Sequence, residues 1–358
     1  MCLEKSQNAD IWYGVEITVW YIVGIVVRNQ VSYAGGGEVG LIVPFSPEAA
    51  VNCIMLSLVI YHGALTLATM PRVPYSEWIH KSYWAVKIFA VVYTNLILMN
   101  MGNHFLESVS DAFFWMGTAF LVFQTVLIVE SACLINTKIK DAVKTFPRVG
   151  MVVVLTTGLS VFFNMAVMLF FAMEDQTKVQ SWRAYLVMIN LLFFFLTLGI
   201  SISGGVIARS RYSGMFVPAF IGLYNAFQVF SMVRNSDGAG CDERDINIFD
   251  TVMNYLSTSF TVISMFFSGI FHGQDPNRYW LLHIIYAFLC AYCDQTLLNW
   301  DSTLMRYVCL DVGSMALYVK IICLIVSYLV YFISLKIPIE GGAERNEFIY
   351  TPTPSDAV

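Results

Sequence analysis

The chain has 358 residues, of which 58% are hydrophobic and only 13% carry a charge, and its formal net charge is −5. Soluble domains contain about 25% charged residues, so this composition excludes an ordinary water-soluble fold. The acidic balance also argues against a nucleic-acid-binding protein, because such proteins need a basic face. The sequence is instead divided into apolar segments that are separated by polar loops.

Ten apolar segments follow one another along the chain, and each has about the ~20 residues that a helix needs to cross a bilayer core. Their predicted bounds are Ile11–Val27, Ala49–Met70, Tyr83–Met101, Ala112–Ile135, Val149–Ala172, Ala184–Ile207, Met215–Val233, Ile248–Phe271, Tyr279–Leu298 and Val312–Leu335. Only helices satisfy the backbone of such segments inside lipid, so the pattern predicts an all-α polytopic membrane protein with about ten transmembrane helices. The predicted organisation is a short N-terminus over residues 1–10, a transmembrane core over residues 11–336 and a C-terminal tail over residues 337–358.

The fourth segment differs from the others in length. From Ser110 to Val143 the sequence has no proline and a single glycine. It therefore predicts one continuous helix of about 50 Å, which exceeds the ~30 Å hydrocarbon core. Gln124, Glu130 and Asn136 recur on it at regular intervals, and this spacing winds them around the helix instead of placing them on one face. We predict a long tilted helix that joins two helix groups.

The charges of the loops predict the orientation of the protein. Lys and Arg are about twice as frequent at the two termini and in the loops after even-numbered segments as in the remaining loops. The positive-inside rule then places both termini in the cytosol of a multi-pass protein of the plasma membrane or an endomembrane. Cys241 and Cys309 both fall in loops on the other side, where an oxidising compartment would allow a disulfide between them.

Ionisable residues inside the apolar segments are costly and are therefore candidates for function. They are Glu16, His62, Lys87, Glu130, Asp294 and Lys320. Two interpretations stay open: the residues pair to hold helices together, or they line a hydrated groove for lipid headgroups, ions or small polar solutes. His62 is predicted to be a satisfied core histidine. The Cys290-x-x-Cys293 pair is predicted to pack in the core, because no second pair accompanies it.

Several spaced motifs carry a family resemblance. They are His80-x3-Trp84-x2-Lys87; Gln124-x5-Glu130-x5-Asn136; Ser213-Gly214 followed by Tyr224, Ser231, Asn235 and Cys241; His283-x8-Tyr292-x3-Thr296-x2-Asn299-Trp300; and Val319-Lys320-Ile321 followed by Pro338. In order and spacing they resemble the serine incorporator family (SERINC, also TDE or TMS) of membrane proteins, from about Ile11 to Pro338. The resemblance implies two helix groups that are joined by a long tilted helix, with a lipid-accessible groove.

The resemblance also implies a function. We expect a lipid-binding membrane protein that transports or scrambles phospholipids such as phosphatidylserine, or that supports the synthesis of serine-derived lipids. We expect no covalent catalysis and no cofactor other than bound phospholipids. No nucleotide-binding, metalloprotease or hydrolase motif occurs in the sequence, which agrees with a protein that is not an enzyme.

The candidate site residues form a hypothetical polar seam. They are Lys87, Gln124, Glu130, Asn136, Tyr224, Asn299 and Lys320. In this hypothesis the two lysines meet phosphate or carboxylate groups, and the polar residues of the fourth segment hydrate the path, which spares a headgroup full desolvation in hydrocarbon. The expected partners are membrane lipids, with a homo-oligomer or a larger membrane complex left open, and neither metal nor nucleic acid is expected. Two alternatives remain: a structural or accessory subunit of a larger membrane complex, and a transporter of a small polar solute such as serine.

Overall fold

The computed structural model describes residues 9–33, 46–71, 73–173, 181–207, 214–235, 278–298 and 312–335. All regular secondary structure in these ranges is helical. The α-helices are α1 (Ala9–Tyr33), α2 (Pro47–Ala68), α3 (Ser76–Lys81), α4 (Trp84–Leu98), α5 (Asn103–Thr145), α6 (Gly150–Met173), α7 (Ser181–Ile207), α8 (Phe216–Asn235), α9 (Tyr279–Leu297) and α10 (Val312–Ser334). A 3-10 turn, Pro147–Val149, lies between α5 and α6.

The helices agree with the predicted apolar segments. Every predicted segment except the eighth coincides with one of them, and the short helix α3 has no predicted counterpart. The eighth segment, together with Cys241, Asn299 and Cys309, lies outside the described residues. Five helices among the described residues are long and apolar enough to cross a membrane, and three others are apolar but shorter. The protein is therefore an all-α polytopic membrane protein.

The long helix predicted from the fourth segment is present as α5. It runs without interruption over 43 residues, which corresponds to about 65 Å. The helix ends at Thr145, and Phe146 then adopts an extended conformation before Pro147. Proline disfavours the helical conformation of the residue before it and has no N–H to donate, so the sequence itself determines where α5 stops.

The contacts within the chain divide it into two compact units. Unit 1 comprises Met1–Ser131 and Ser231–Cys323, and unit 2 comprises Ala132–Phe230 and Leu324–Val358. In unit 1, α2 packs against α1, α3, α4 and α9. The start of α2 is fixed by Ser46, whose hydroxyl accepts a hydrogen bond from the Ala49 N–H, and by Pro47 at the first helical position. Both features are typical of helix N-termini.

Unit 2 contains a set of hydrogen-bonded polar side chains that we call the amide network. Its members are Asn164 on α6, Asn190 on α7, Asn225 on α8, and Ser327 and Tyr328 on α10. Asn190 donates to the Asn164 side chain at 3.0 Å and accepts from the Tyr328 hydroxyl at 3.0 Å. Asn225 donates to the Ser327 hydroxyl at 2.8 Å. The network joins four helices through neutral groups, and none of the side-chain N and O atoms of these five residues is buried without a partner.

Candidate functional site

A cluster of titratable and aromatic side chains lies in the interior of unit 1, and we call it the polar cluster. Its members are Tyr13 and Glu16 on α1, Tyr61 and His62 on α2, His80 on α3, Lys87 on α4, and Tyr279, His283 and Tyr286 on α9. The three histidines are fully buried, and Lys87 and Glu16 are 5% and 9% exposed. Burial of so many ionisable groups in a membrane protein is costly and marks the cluster as a candidate functional site.

Lys87 lies near the N-terminus of α4 and points into unit 1. Its ammonium donates to the Tyr13 hydroxyl at 2.7 Å and to the His80 backbone carbonyl at 2.8 Å. It also lies 4.5 Å from the centre of the Trp84 ring and 4.9 Å from the centre of the Tyr13 ring. The two hydrogen bonds and the two aromatic faces replace part of the water that the charge loses on burial. An ammonium has three donors, so one remains for a further acceptor.

The backbone before α4 brings His80 and Lys87 together. Tyr75 and Tyr83, which precede α3 and α4, both adopt the left-handed conformation, with φ of 66° and 64°. This conformation is uncommon for residues other than glycine and costs about 1–3 kcal/mol where it is strained. The turn that results directs the His80 carbonyl towards both Lys87 and the Tyr13 hydroxyl, which donates to it at 2.9 Å.

The three buried histidines contact one another in a row. The two nitrogens of His283 approach different neighbours: Nε2 lies 3.1 Å from Nδ1 of His80, and Nδ1 lies 3.3 Å from Nδ1 of His62. Aromatic contacts hold the rings in place, and His80 stacks on Tyr279 with ring centres 3.9 Å apart. Because His283 uses a different nitrogen for each contact, the nitrogens do not converge on one point. Among the described residues, no group of three or more His, Cys, Asp or Glu could hold a metal ion.

Glu16 is a buried carboxylate without a close partner. Neither of its oxygens has a hydrogen-bond donor. It interacts electrostatically with Lys87 but forms no ion pair with it. Nε2 of His62 and Nε1 of Trp84 are buried without a partner as well. Buried polar groups are hydrogen-bonded in the large majority of native structures, so this accumulation of exceptions in one place needs a functional explanation.

A second buried carboxylate lies further along α9. Asp294 is fully buried, and one of its oxygens accepts a hydrogen bond from the Gln295 side chain at 3.3 Å. The same amide donates to the Ser110 carbonyl at 3.3 Å, which joins α9 to the start of α5. Cys290 and Cys293 are free thiols in the core of the unit, as the sequence predicted.

The comparison with protein families decides the identity of this bundle. The model of a family described as serine incorporator (Serinc) matches residues 45–278. The chain belongs to the serine incorporator family. No individual curated protein matches the sequence. Within the polar cluster of this serine incorporator, His62, His80 and Lys87 fall inside the matched region, whereas Tyr13, Glu16 and His283 lie outside it.

The seam residues predicted from the sequence are distributed over both units. In unit 1, Lys87 belongs to the polar cluster, Gln124 and Lys320 are buried elsewhere, and Glu130 is half-buried. In unit 2, Asn136 and Tyr224 are buried, and the Tyr224 hydroxyl accepts a hydrogen bond from Gln228 at 2.7 Å. That these residues line one seam of the serine incorporator fold stays a prediction.

The residues that sequence reasoning missed are the partners of Lys87 and the histidine row. His62 was expected to be a satisfied core histidine, but it contacts His283 through one nitrogen and its other nitrogen has no partner. His80 and His283 were noted as family motifs without any link between them, because 203 positions separate them in the chain. Tyr13 gave no signal beyond its place in the first apolar segment.

Proposed function

We propose that this serine incorporator binds phospholipids and moves them passively between the two leaflets, without covalent catalysis. The observation that supports this proposal is a lysine on the buried stripe of a helix whose other faces are largely exposed and apolar. Lys87 is buried on α4, whereas its neighbours Val86, Ile88 and Phe89 are exposed. In a membrane, exposed apolar side chains of this kind face lipid.

Lys87 and the exposed apolar side chains lie on opposite sides of α4. The inward stripe of α4 consists of Lys87, Val91, Asn95 and Leu98, and the remaining positions are exposed or half-buried. In the proposal the tails rest on the outer face of α4, and the headgroup enters on its inner side near the N-terminus, where Lys87 lies. There the third donor of the Lys87 ammonium bonds to the phosphate, and this charge-assisted hydrogen bond lowers the cost of bringing the headgroup out of water.

The second intramembrane lysine has a similar setting. Lys320 is 8% exposed, whereas Tyr318 and Ile322 on either side of it along α10 are exposed. Both lysines of the predicted seam therefore lie on the inner side of helices with apolar outer faces. In the proposal they provide successive positive charges for headgroups, and Gln124, Glu130 and Asn136 keep the path hydrated.

The test is a lipid-flipping assay in liposomes that contain the purified protein. Fluorescent phosphatidylserine and phosphatidylcholine are quenched from outside with dithionite, and scrambling appears as quenching beyond the outer-leaflet share seen in protein-free vesicles. Lys87→Met is expected to lower the rate about tenfold, because a hydrogen bond to a charged group contributes about 1.5–3 kcal/mol and each ~1.4 kcal/mol is a factor of ten. Lys320→Met is expected to act in the same direction.

The matched control is Lys144→Met, which removes the same charge from a side chain that is 76% exposed and pairs with Asp141. It is expected to leave the rate unchanged. A wild-type protein that is folded and inserted but does not exceed protein-free quenching would contradict the proposal. In that case a stoichiometric partner after mild purification would support an accessory subunit, and saturable serine uptake would support a solute transporter.

A further inference from the structure

We propose that unit 1 contains a binding site for a sodium ion between α2, α5 and α9, with Asp294 as its charged ligand. The observation behind it is a group of buried oxygen atoms without a hydrogen-bond donor, Oδ1 of Asp294, Oε1 of Gln295 and Oδ1 of Asn52, on side chains that are fully buried. Each of these atoms is an acceptor, and a cation with oxygen ligands satisfies such atoms together. The site shares no residue with the polar cluster, and the proposal does not depend on lipid movement.

The contacts of the two amide side chains place them at one face of α5. Nδ2 of Asn52 donates to the Leu106 carbonyl at 2.9 Å, and Nε2 of Gln295 donates to the Ser110 carbonyl at 3.3 Å. Leu106 and Ser110 are four residues apart on α5, so their carbonyls lie on the same face and about 6 Å apart along the helix. Asn52 on α2 and Gln295 on α9 therefore meet α5 at neighbouring turns.

The distances around Gln295 match the spacing of oxygens around a small cation. Its Nε2 lies 3.3 Å from both Oδ2 of Asp294 and the Ser110 carbonyl oxygen, which is longer than the usual hydrogen-bond range of about 2.7–3.2 Å. Rotation of the terminal amide by half a turn exchanges its nitrogen and its oxygen. Oε1 then takes the place of the nitrogen, and its separation from the other two oxygens is close to the roughly 3.4 Å between neighbouring ligands of a six-coordinate cation with bonds of about 2.4 Å.

The Gln295 amide can therefore serve the site in two orientations. Its NH2 group donates to the Asp294 carboxylate and to the Ser110 carbonyl. A bound ion takes over these two contacts, and the amide turns its oxygen towards the ion. Three oxygens so close together repel one another unless a positive charge lies between them, so the ion and the rotation go together. Oδ1 of Asn52 and water complete the coordination.

The charge of the site selects a monovalent cation. The recorded interactions of the Asp294 side chain are with Gln295 and Cys293, and none is with a lysine, arginine or histidine of the described residues. One sodium ion compensates this lone buried charge, whereas a divalent ion would leave a net positive charge in the interior. Asp294 also lies in the last turn of α9, where the helix dipole favours a cation. A single carboxylate with neutral oxygens suits a hard cation and differs from the nitrogen and sulfur ligands that bind transition metals.

Acidic side chains surround the end of unit 1 that lies nearest to the site. The site is in the last turn of α9 and the second turn of α2, close to one end of both helices. Glu107 on α5 is half-buried, and its carboxylate accepts a hydrogen bond at 3.0 Å from the hydroxyl of Ser46, which precedes α2. Glu48 on α2 and Asp111 on α5 are half-buried as well. Against Arg28 on α1 these carboxylates leave an excess of negative charge, which attracts cations from water towards the site.

The test measures ²²Na⁺ binding to the full-length protein in detergent, together with the midpoint of its thermal unfolding. We expect saturable binding of about one ion per chain and a midpoint that rises with the Na⁺ concentration, because the ion binds the folded state. K⁺ or N-methylglucamine at the same ionic strength is expected to have little effect. A folded wild-type protein that binds no ²²Na⁺, or a midpoint that rises equally with K⁺, would overturn the proposal.

A variant and a control assign the binding to this site. Asp294→Asn keeps the shape of the side chain and is expected to weaken Na⁺ binding at least about a hundredfold, while its midpoint without Na⁺ equals or exceeds that of the wild type. Asp141→Asn removes the same charge from a side chain on α5 that is 72% exposed, and it is expected to bind Na⁺ like the wild type. Unchanged binding by folded Asp294→Asn would overturn the proposal. If this variant does not fold, Gln295→Leu removes a neutral ligand and is expected to weaken binding about tenfold, and unchanged binding would have the same meaning.

Discussion

The two units solve the problem of polar groups in a membrane bundle in different ways. In unit 2 the amide network joins four helices through neutral side chains that have hydrogen-bond partners. In unit 1 the polar cluster contains a lysine, a carboxylate and three histidines, and the Glu16 oxygens and one His62 nitrogen are buried without partners. The buried polar atoms of the amide network therefore all have hydrogen-bond partners, whereas several of those in the polar cluster have none.

The difference indicates what each network is for. Hydrogen bonds between neutral side chains stabilise helix contacts in membranes by about 0.6–2 kcal/mol each, without the cost of burying a charge. Charged and unpaired groups cost more than they contribute to stability, so they are retained where function requires them. We therefore expect substitutions in unit 2 to lower stability, and substitutions of the charged groups of unit 1 to affect lipid movement with little effect on stability.

The largest effect on stability is expected from Gly222→Ala in unit 2. A methyl group at this position would lie 2.2 Å from the Phe194 ring and 3.1 Å from the Ser160 hydroxyl. The Gly222 carbonyl also accepts a hydrogen bond from Asn164 at 3.2 Å, so a shift of α8 disturbs the amide network. Overpacking of this kind costs about 1–3 kcal/mol. The measurement is the midpoint of thermal unfolding in detergent, followed by tryptophan fluorescence.

Gly199→Ala provides the control for this substitution. Gly199 lies on α7 in the same unit, and a methyl group added there would have no atom within 4 Å. Its midpoint is expected to equal that of the wild type or to exceed it slightly. Equal losses in the two variants would show that helical glycines, and not the close contact at Gly222, determine the stability of unit 2.

A smaller loss is expected from Asn190→Leu, which tests the amide network itself. The leucine removes the donor to Asn164 and the acceptor for the Tyr328 hydroxyl. We expect a loss of about 1–2 kcal/mol, because two hydrogen bonds are lost and each is worth about 0.6 kcal/mol on average in membrane proteins. Adding Tyr328→Phe removes a hydroxyl that keeps only a long hydrogen bond, 3.4 Å, to the backbone carbonyl of residue 190, and it should recover part of the loss. Full additivity of the two substitutions would contradict a coupled network.

The sequence predicted those parts of the molecule that depend on local pattern. Apolar length predicted the helices, and the lack of proline between Ser110 and Val143 predicted the continuous helix α5. Lys87 was selected because a charge inside an apolar segment is unusual wherever it lies. The histidine row could not be predicted from the sequence, because its contacts join positions that are 203 and 221 residues apart. Helical periodicity indicates that a residue points inwards, but it does not indicate which inward residue of another helix it meets.

The smallest change in stability is expected from Glu16→Gln in unit 1, although Glu16 is among the most buried charges in the described part of the chain. If the carboxyl group is protonated, glutamine replaces it with a neutral group of the same shape. If it is ionised, the substitution removes an ion whose burial costs several kcal/mol, against the loss of an attraction to Lys87 that involves no direct contact. The unfolding midpoint should therefore stay unchanged or rise, whereas lipid scrambling should change. A fall as large as that of Asn190→Leu would mean that Glu16 stabilises its unit as the asparagines stabilise theirs, and the contrast between the two networks would no longer hold.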